Sequence, residues 1–306
     1  PISLTFETLT GNRPVLDTFD RNFPHEVKHI SLAEQADLVL IAPATANVLA
    51  KLAHGLADDM LTTTVLACRC PKLAAPAMNT AMYENPVTQD NLATLRRYGW
   101  EILEPDAGRL ACGAYGRGKL PDPERLLEAV LHRISHTQDM TGLHVLVTAG
   151  PTQEALDPVR YLTNHSTGKM GYAIARAAAA RGADVTLVSG PTSLPQPPYV
   201  DFVPVTSAQE MCHAVQARSA AQEIIIKAAA VADYRPAQTA AEKMKKSSDG
   251  LTLELARTED ILAWLGRNRR PGQFLCGFSM ETQDLVENSQ KKPDKKHADL
   301  IAANSL

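Results

Sequence analysis

Short apolar runs alternate with amphipathic stretches along all 306 residues. Leu143 to Thr148 is a compact β-branched run, the pattern of a strand buried on both faces of a parallel sheet. It stops at the Gly/Pro turn Ala149-Gly150-Pro151-Thr152. Ser166 and Thr167, ahead of Gly168-Lys169, offer N-capping hydroxyls to an alanine-rich helix predicted from about Met170 to Arg181. Gly182 ends that helix, and Val185 to Ser189 supplies the next strand. The crossover of such a β-loop-α-β unit is right-handed. Between its strand and helix lies a long loop-like insert with Asp157, Arg160, Asn164, His165 and Lys169. In open α/β sheets a loop of this kind sits at the carboxyl ends of the strands, where ligands bind.

The same alternation runs on either side. Before the central unit the pattern predicts helices over His29–Ala36, Val48–Ala57, Asp59–Ala67, Pro86–Tyr98 and Asp122–Ile134. Strands are expected at Asp37–Ile41, Lys72–Ala75 and Glu101–Leu103, with a Gly-rich loop over Gly108–Leu120. Residues 1–28 read as a helical or irregular entry with a turn at Gly11–Pro14. After the unit come a proline-rich loop (Pro191–Pro198), an edge-like strand at Val203–Val205 and a helix from Ser207 to Ser219. Then follow the strand Ile224–Ile226, a turn at Ser247–Gly250 and an alternating strand Leu251–Leu255. A helix to Arg267, a strand Phe274–Ser279, a helix Thr282–Lys292 and a last strand Asp299–Ala302 complete the chain. Residues 135–141 are polar and aperiodic, so two α/β domains are expected, 1–138 and 139–306.

Composition narrows the classes. The net charge of −3 gives no basic footprint for nucleic acid or an anionic membrane. No apolar run reaches the roughly 20 residues that span a bilayer, and no signal peptide precedes the first element. The five cysteines are scattered at 68, 70, 112, 212 and 276. Cys68-x-Cys70 lacks zinc spacing and a second pair, so a reduced, cytoplasmic compartment is expected.

The central insert is neither of the common nucleotide loops. Gly168-Lys169 is followed by Met170 rather than Ser or Thr, and no Gly-x-Gly-x-x-Gly follows Val147. It reads either as a polar surface loop or as an anion site built from small residues, a helix N-terminus and Lys169. Four motifs decide between these: Ala149-Gly-Pro-Thr, Asp157-Pro-Val-Arg-Tyr, Asn164-His-Ser-Thr-Gly-Lys-Met-Gly and Ala228-Ala-Ala-Val-Ala-Asp-Tyr-Arg-Pro. In this order they resemble the phosphopantothenate–cysteine ligase half of the bifunctional coenzyme A biosynthesis family. The first half carries His29-Ile, Ala42-Pro-Ala-Thr-Ala-Asn, Pro76-Ala-Met-Asn79 and Ala111-Cys112-Gly113 ahead of Gly116-x-Gly118. These resemble the flavin-containing cysteine decarboxylases to which that ligase is joined.

The resemblance implies two Rossmann-like three-layer domains: a flavodoxin-like FMN-dependent decarboxylase in 1–138 and a ligase in 139–306. It implies CTP-dependent joining of 4′-phosphopantothenate to cysteine through an acyl-cytidylate, with Mg2+ or Mn2+. FMN-dependent decarboxylation to 4′-phosphopantetheine follows. For the ligase it assigns Asn164 to the acyl intermediate and phosphopantothenate, Asp233 and Lys243 to the CTP site, and Lys292 and Lys296 to the triphosphate. Arg160 is offered to a neighbouring subunit's phosphopantothenate, Gly168, Lys169 and Met170 line the nucleotide pocket, and Ala229 contacts substrate. For the decarboxylase it assigns His29 as base or orienting group, Asn79 to the substrate carboxylate and Cys112 to proton donation. Ala44 and Thr45 belong to its FMN loop and Met78 to its substrate clamp. It further implies homo-oligomers, from ligase dimers and decarboxylase trimers up to a dodecamer.

Family members open with a strand and a flavin-phosphate loop and close with further strands and a flap. This chain shows neither, so truncation at both ends is expected, and with it doubtful FMN binding and weak ligase turnover. Two other readings compete. A non-catalytic or regulatory relative usually loses the His or Cys, yet His29, Asn79 and Cys112 are all present. A nicotinamide-dependent oxidoreductase would need the missing Gly-x-Gly-x-x-Gly.

Overall fold

The computed structural model describes residues 2–17, 27–109, 113, 115–245, 251–281 and 296–305. The chain divides into two compact units, residues 1–135 and 136–306. The predicted helix 282–292, the turn at 247–250 and the residues Cys112 and Lys292 lie outside the described residues.

The first unit opens with α1 (Ile2–Thr10) and α2 (Lys28–Gln35). Its sheet has the parallel order β1 (Val39–Ala44), β2 (Lys72–Pro76), β3 (Glu101–Ile102). Around it lie α3 (Ala46–His54), α4 (Met60–Ala67), the single-turn α5 (Thr80–Tyr83), α6 (Pro86–Arg97) and α7 (Pro123–Ile134). Helix starts follow the capping chemistry of their residues. Thr45, Asn79 and Asn85 accept backbone N–H bonds at the heads of α3, α5 and α6, and Asp59 forms a capping box with Thr62 on α4. The core joins Ile41, Ala44 and Ala74 of the strands to Leu49, Val65, Leu92 and Leu95 of the helices.

One expectation fails here. The Gly-rich stretch is an antiparallel hairpin, β4 (Asp106–Arg109) with β5 (Tyr115–Lys119), not an open loop. Glycine lets this hairpin cross the chain after β2. A Cβ on Gly118, at φ 132°, would lie 2.1 Å from the Met78 carbonyl oxygen, and one on Gly116 would lie 2.5 Å from Thr80 Oγ1.

The second unit is built on β6 (His144–Ala149), whose alternate residues face opposite layers. Val145, Val147 and Ala149 pack on α8 (Lys169–Ala180). Leu146 faces the other way, into a core with Met211 and Val215 of α9 (Ala208–Ser219) and Ile261 and Leu265 of α10 (Ile261–Asn268). Alanines 175, 178 and 179 let α8 lie close to the sheet. Gly171 lets it lie closer still, since a Cβ there would come within 2.5 Å of Ala149 Cβ.

β9 (Asp184–Ser189), β10 (Val200–Pro204), β11 (Ile224–Lys227), β14 (Phe274–Glu281) and β15 (Leu300–Ser305) complete a parallel sheet of order β10-β9-β6-β11-β14-β15. From β6 the chain winds outward to β9 and β10, then returns to continue on the other side through β11. This is the doubly wound Rossmann order, and the reversal lies between β6 and β11. Polar residues 138–140 are tied to this unit: Gln138 donates to the Ala180 carbonyl, Asp139 pairs with Arg181, and Met140 N–H donates to the Arg181 carbonyl.

Three further expectations need correction. The insert after β6 contains a hairpin, β7 (Gln153–Ala155) with β8 (Tyr161–Thr163), whose alternation is too short to register as strands. Ser166 and Thr167 do not cap α8. Their hydroxyls accept from the N–H groups of Gly168 and Lys169, because the chain enters the helix through Gly168 at φ 76°. The stretch from Leu251 is paired only at its end, where β13 (Leu255–Arg257) meets β12 (Tyr234–Pro236).

Leu146 is fully buried. Leu146→Ala is expected to lower the stability of the second unit by about 2–5 kcal/mol, seen as a shift of its denaturant midpoint at unchanged slope. A loss of less than about 1 kcal/mol would contradict the central position of β6.

Candidate functional site

At the reversal point the loops leaving β6 and β11 are stitched together. Pro151 bridges to Ala230; Ala230 N–H donates to the Gly150 carbonyl (2.9 Å), and Thr152 N–H to the Ala230 carbonyl (3.3 Å). Two buried threonines add to this. Thr148 Oγ1 accepts from Ala229 N–H (3.1 Å), and Thr152 Oγ1 from Ala232 N–H (3.0 Å). Glycine permits the closeness: a Cβ on Gly190 would sit 1.8 Å from the Pro151 carbonyl oxygen. One on Gly168 would sit 2.7 Å from Thr192 Cγ2. The N-terminus of α8, with Lys169 and Met170 exposed, is thereby brought beside the loop after β6.

Asn164 follows β8 and donates from Nδ2 to the Ala230 carbonyl (3.2 Å), so Asn164 and Ala229 share this crevice. The 157–160 turn is organised by the buried carboxylate of Asp157. It accepts from the N–H groups of Val159 (2.8 Å), Arg160 (2.9 Å) and Met244 (3.1 Å), and from the Arg160 guanidinium. Arg160 also donates to the Met244 carbonyl (2.7 Å). Both Arg160 and the segment carrying Lys243 are therefore held against one carboxylate, with Lys243 exposed beside it. Burial works against the charge on Asp157, but Arg160 and the three N–H donors outweigh it and hold the carboxyl well below the usual range.

On the far side of the reversal, the carboxyl ends of β11, β14 and β15 open into a cleft of about 470 Å³. Among the described residues its charged lining is Lys227, Asp233, Arg257, Glu259, Asp260 and Lys296. Thr258 ties its walls, donating from N–H to the Asp233 carbonyl (3.0 Å) and from Oγ1 to the Ala232 carbonyl (2.6 Å). Asp233 and Lys296, far apart in sequence, thus line the same cleft. Lys227, Glu259 and Asp260 were not foreseen; the signal was their place one step beyond a predicted strand end or at a helix start.

In the first unit, Ala44 pairs with Pro76 beyond a shift in the β1–β2 register, Ala77 N–H donates to the Ala44 carbonyl (3.1 Å), and Met78 N–H donates to the Gly118 carbonyl (3.0 Å). This brings Ala44, Thr45, Met78 and Asn79 together at the carboxyl ends of β1 and β2. Asn79 Oδ1 caps α5 through Ala81 N–H (2.9 Å). That helix is anchored by Tyr83, whose hydroxyl donates to Glu104 (2.6 Å). Thr80 Oγ1 is buried there, with no hydrogen-bond partner among the described residues. His29 lies on α2, half-buried, and α2 packs chiefly on α4. A larger cavity of about 510 Å³ opens beside the start of β2, lined by Lys51, His54, Lys72 and Trp100 among others, and holds none of the predicted residues.

Two family models match, "Flavoprotein" over residues 2–135 and "DNA/pantothenate metabolism flavoprotein C-terminal domain" over residues 140–306. The chain is 49% identical over 306 residues to the "Coenzyme A biosynthesis bifunctional protein CoaBC" of Bacillus subtilis (strain 168), covering 99% of this chain and 75% of that protein. It is 46% identical over 317 residues to the protein of the same name from Mycobacterium tuberculosis (strain CDC 1551 / Oshkosh), with the same coverage. The chain belongs to this bifunctional coenzyme A biosynthesis family. It therefore spans about three quarters of the length of those relatives.

Among solved structures, the C-terminal domain of a coenzyme A biosynthesis bifunctional protein CoaBC is 46% identical. It covers 55% of this chain and 80% of that one, with a TM-score of 0.49. An FMN-dependent cysteine decarboxylase, SpaF, is 41% identical, covering 42% and 68%, with a TM-score of 0.36. Among the described residues there is no cluster of three or more His, Cys, Asp or Glu able to hold a metal ion. No described helix is long and apolar enough to cross a membrane.

A carboxyl whose folded pKa is depressed contributes stability that is present above its unfolded value, near pH 4, and lost as pH falls toward the folded one. Amide protection at Val159, Arg160 and Met244 is therefore expected to hold at neutral pH and decline in acid. Asp157→Asn is expected to reduce that protection roughly tenfold at neutral pH and to remove its acid dependence. Unchanged protection in that variant would exclude Asp157 as the organiser of the turn.

Proposed function

We propose that the chain carries two consecutive steps of coenzyme A biosynthesis: ligation of 4′-phosphopantothenate to cysteine in residues 139–306, and decarboxylation of the product to 4′-phosphopantetheine in residues 1–138. The observation that carries this reading is coverage, since both halves match one bifunctional relative over 99% of the chain. A non-catalytic or regulatory role is not favoured by that kinship.

The ligase needs an activated carboxylate, because oxide is too poor a leaving group at neutral pH. The phosphopantothenate carboxylate attacks the α-phosphorus of CTP and pyrophosphate leaves. The cysteine amine then attacks the acyl carbon of the acyl-cytidylate and CMP leaves, with the amine's proton lost to solvent. The protein's part is to hold two anions in contact and stabilise the developing charge. The cleft lined by Asp233 and Lys296 would take the nucleotide, assisted by Lys292, and Gly168, Lys169 and Met170 would line its approach at the head of α8. Asn164 and Ala229, in the adjoining crevice, would hold phosphopantothenate and its acyl intermediate. Lys243 would stabilise the phosphoryl group under attack, and Arg160, held beside it, would meet a phosphate of the neighbouring subunit. Mg2+ or Mn2+ would belong with the triphosphate, as hard cations usually do.

The strand-end cluster of the first unit fits FMN. The half-buried Met78 offers an apolar face, and the exposed Thr45, directly after Ala44, offers a hydroxyl for polar contact. Bound FMN supplies the two-electron oxidation and return that let a cysteine carboxylate depart as CO2. Asn79 would bind that carboxylate and His29 would hold or orient a proton. Cys112 would donate the last proton, as suits a thiol whose ordinary pKa is near working pH. Decarboxylase trimers joined by ligase dimers, up to a dodecamer, in the cytoplasm, complete the proposal.

With cysteine withheld, the purified chain is expected to release one pyrophosphate per site from CTP, Mg2+ and phosphopantothenate. Asn164→Ala is expected to reduce that burst at least tenfold. Absence of release from both this chain and a full-length relative assayed alongside would sink the assay, whereas absence from this chain alone would sink the ligase reading for it.

Gly118→Ala is expected to displace the Met78–Asn79 loop and abolish flavin retention, read from visible absorbance after desalting. Retention equal to the unsubstituted chain would place the flavin elsewhere.

A further inference from the structure

Among the described residues, the charged lining of the 470 Å³ cleft is Asp233, Glu259 and Asp260 together with Lys227, Arg257 and Lys296. A polyanion entering such a space meets carboxylates as well as cations. How the carboxylates are held decides which of them opposes it. Glu259 is exposed, and its Oε2 accepts from the buried Cys212 thiol (3.3 Å). Burial and that carboxylate push the thiol up to about 12, so Cys212 stays protonated as a donor.

Asp260 is divided between two partners. Its Oδ1 accepts from Ala263 N–H (2.9 Å) as the N-cap of α10, and its Oδ2 forms an ion pair with Lys296 Nζ. The cap fixes the carboxylate to the helix. The main chain of Lys296 is fixed to the same helix, because it lies so close to Gly266 that a Cβ there would come within 1.9 Å of the Lys296 carbonyl oxygen. Only the side chain of Lys296 has freedom to change partners. Burial works against the charge on Asp260, while Lys296 and the Ala263 N–H hold its carboxyl below the usual range.

We propose that Asp260 is a positioning residue that stands in for the incoming triphosphate. It holds Lys296 across the cleft when the site is empty and releases it to the ligand when the nucleotide binds, so that binding is an exchange of anions on one lysine. The proposal rests on the reading of this cleft as the nucleotide site. The stand-in keeps the ammonium from collapsing onto Asp233 or solvent, and it lowers nucleotide affinity by the strength of the pair that must be broken. For a pair with side chains 23% and 50% exposed, that strength is small and salt-screened.

The test is CTP–Mg2+ binding by equilibrium dialysis at low salt, in the absence of phosphopantothenate, with a double-mutant cycle. Asp260→Asn keeps the cap acceptor and removes the charge; it is expected to tighten CTP binding about two- to fivefold. In a Lys296→Gln background, which itself weakens binding, the same substitution is expected to do nothing. Asp260→Ser, also a good cap, should reproduce the Asn result, and equal melting temperatures would show that α10 is intact. Weaker or unchanged binding in Asp260→Asn, with Lys296→Gln still weakening it, overturns the exchange and leaves the nucleotide site standing. Equal tightening with and without Lys296 also overturns it, in favour of simple repulsion. If neither Asp233→Ala nor Lys296→Gln alters CTP binding, the cleft is not the nucleotide site and both readings fall.

Discussion

The second unit depends on how closely two strand-end loops approach each other. At the reversal between β6 and β11 the sheet sends its helices to opposite faces, and a crevice opens there in every doubly wound sheet. Here the crevice is narrowed and made rigid by backbone pairing of Pro151 with Ala230 and by the hydroxyls of Thr148 and Thr152. Because those hydroxyls are buried, they must be bonded, and their N–H partners are the ones that place Ala229 and Ala232. A loop with unsatisfied N–H groups would wander. This one presents the Ala230 carbonyl to Asn164 at 3.2 Å.

Glycine sets the scale of that approach. Gly190 clears the Pro151 carbonyl, and Gly171 brings α8 down onto Ala149. The first unit uses the same device with a different partner, where Gly118 lets the β4–β5 hairpin run against the Met78 backbone. In both units, close backbone contact carries chemically active side chains to the carboxyl ends of parallel strands. Side-chain bonds then orient them, as with Asn79 capping α5 and Asp157 gathering Arg160 and Met244.

Charge is distributed by the same logic. Thr258 bonds both the Asp233 and Ala232 carbonyls and so ties the wall of the cleft beyond β11, where carboxylates and cations line one space.

Much of this was legible along the chain. The β-branched runs at 143–148 and 185–189 and the alanine-rich helix between them are local patterns, and local propensity and burial agree there. Motifs in order carried the family. What failed did so for physical reasons. The hairpins at 153–163 and 106–119 have strands of only three to five residues, pinned by partners distant in sequence. The hydroxyls of Ser166 and Thr167 had the right chemistry for a cap, but Gly168 at φ 76° shifts the helix entrance away from them. The sequence by itself determined most helices and sheet strands and their alternation, because these follow from residues within a few positions of one another. Only the tertiary structure decided which groups meet: Asp260 with Lys296, Asn164 with Ala230, Asp157 with Met244. Those pairings follow from strand order and backbone approach, which no local pattern encodes.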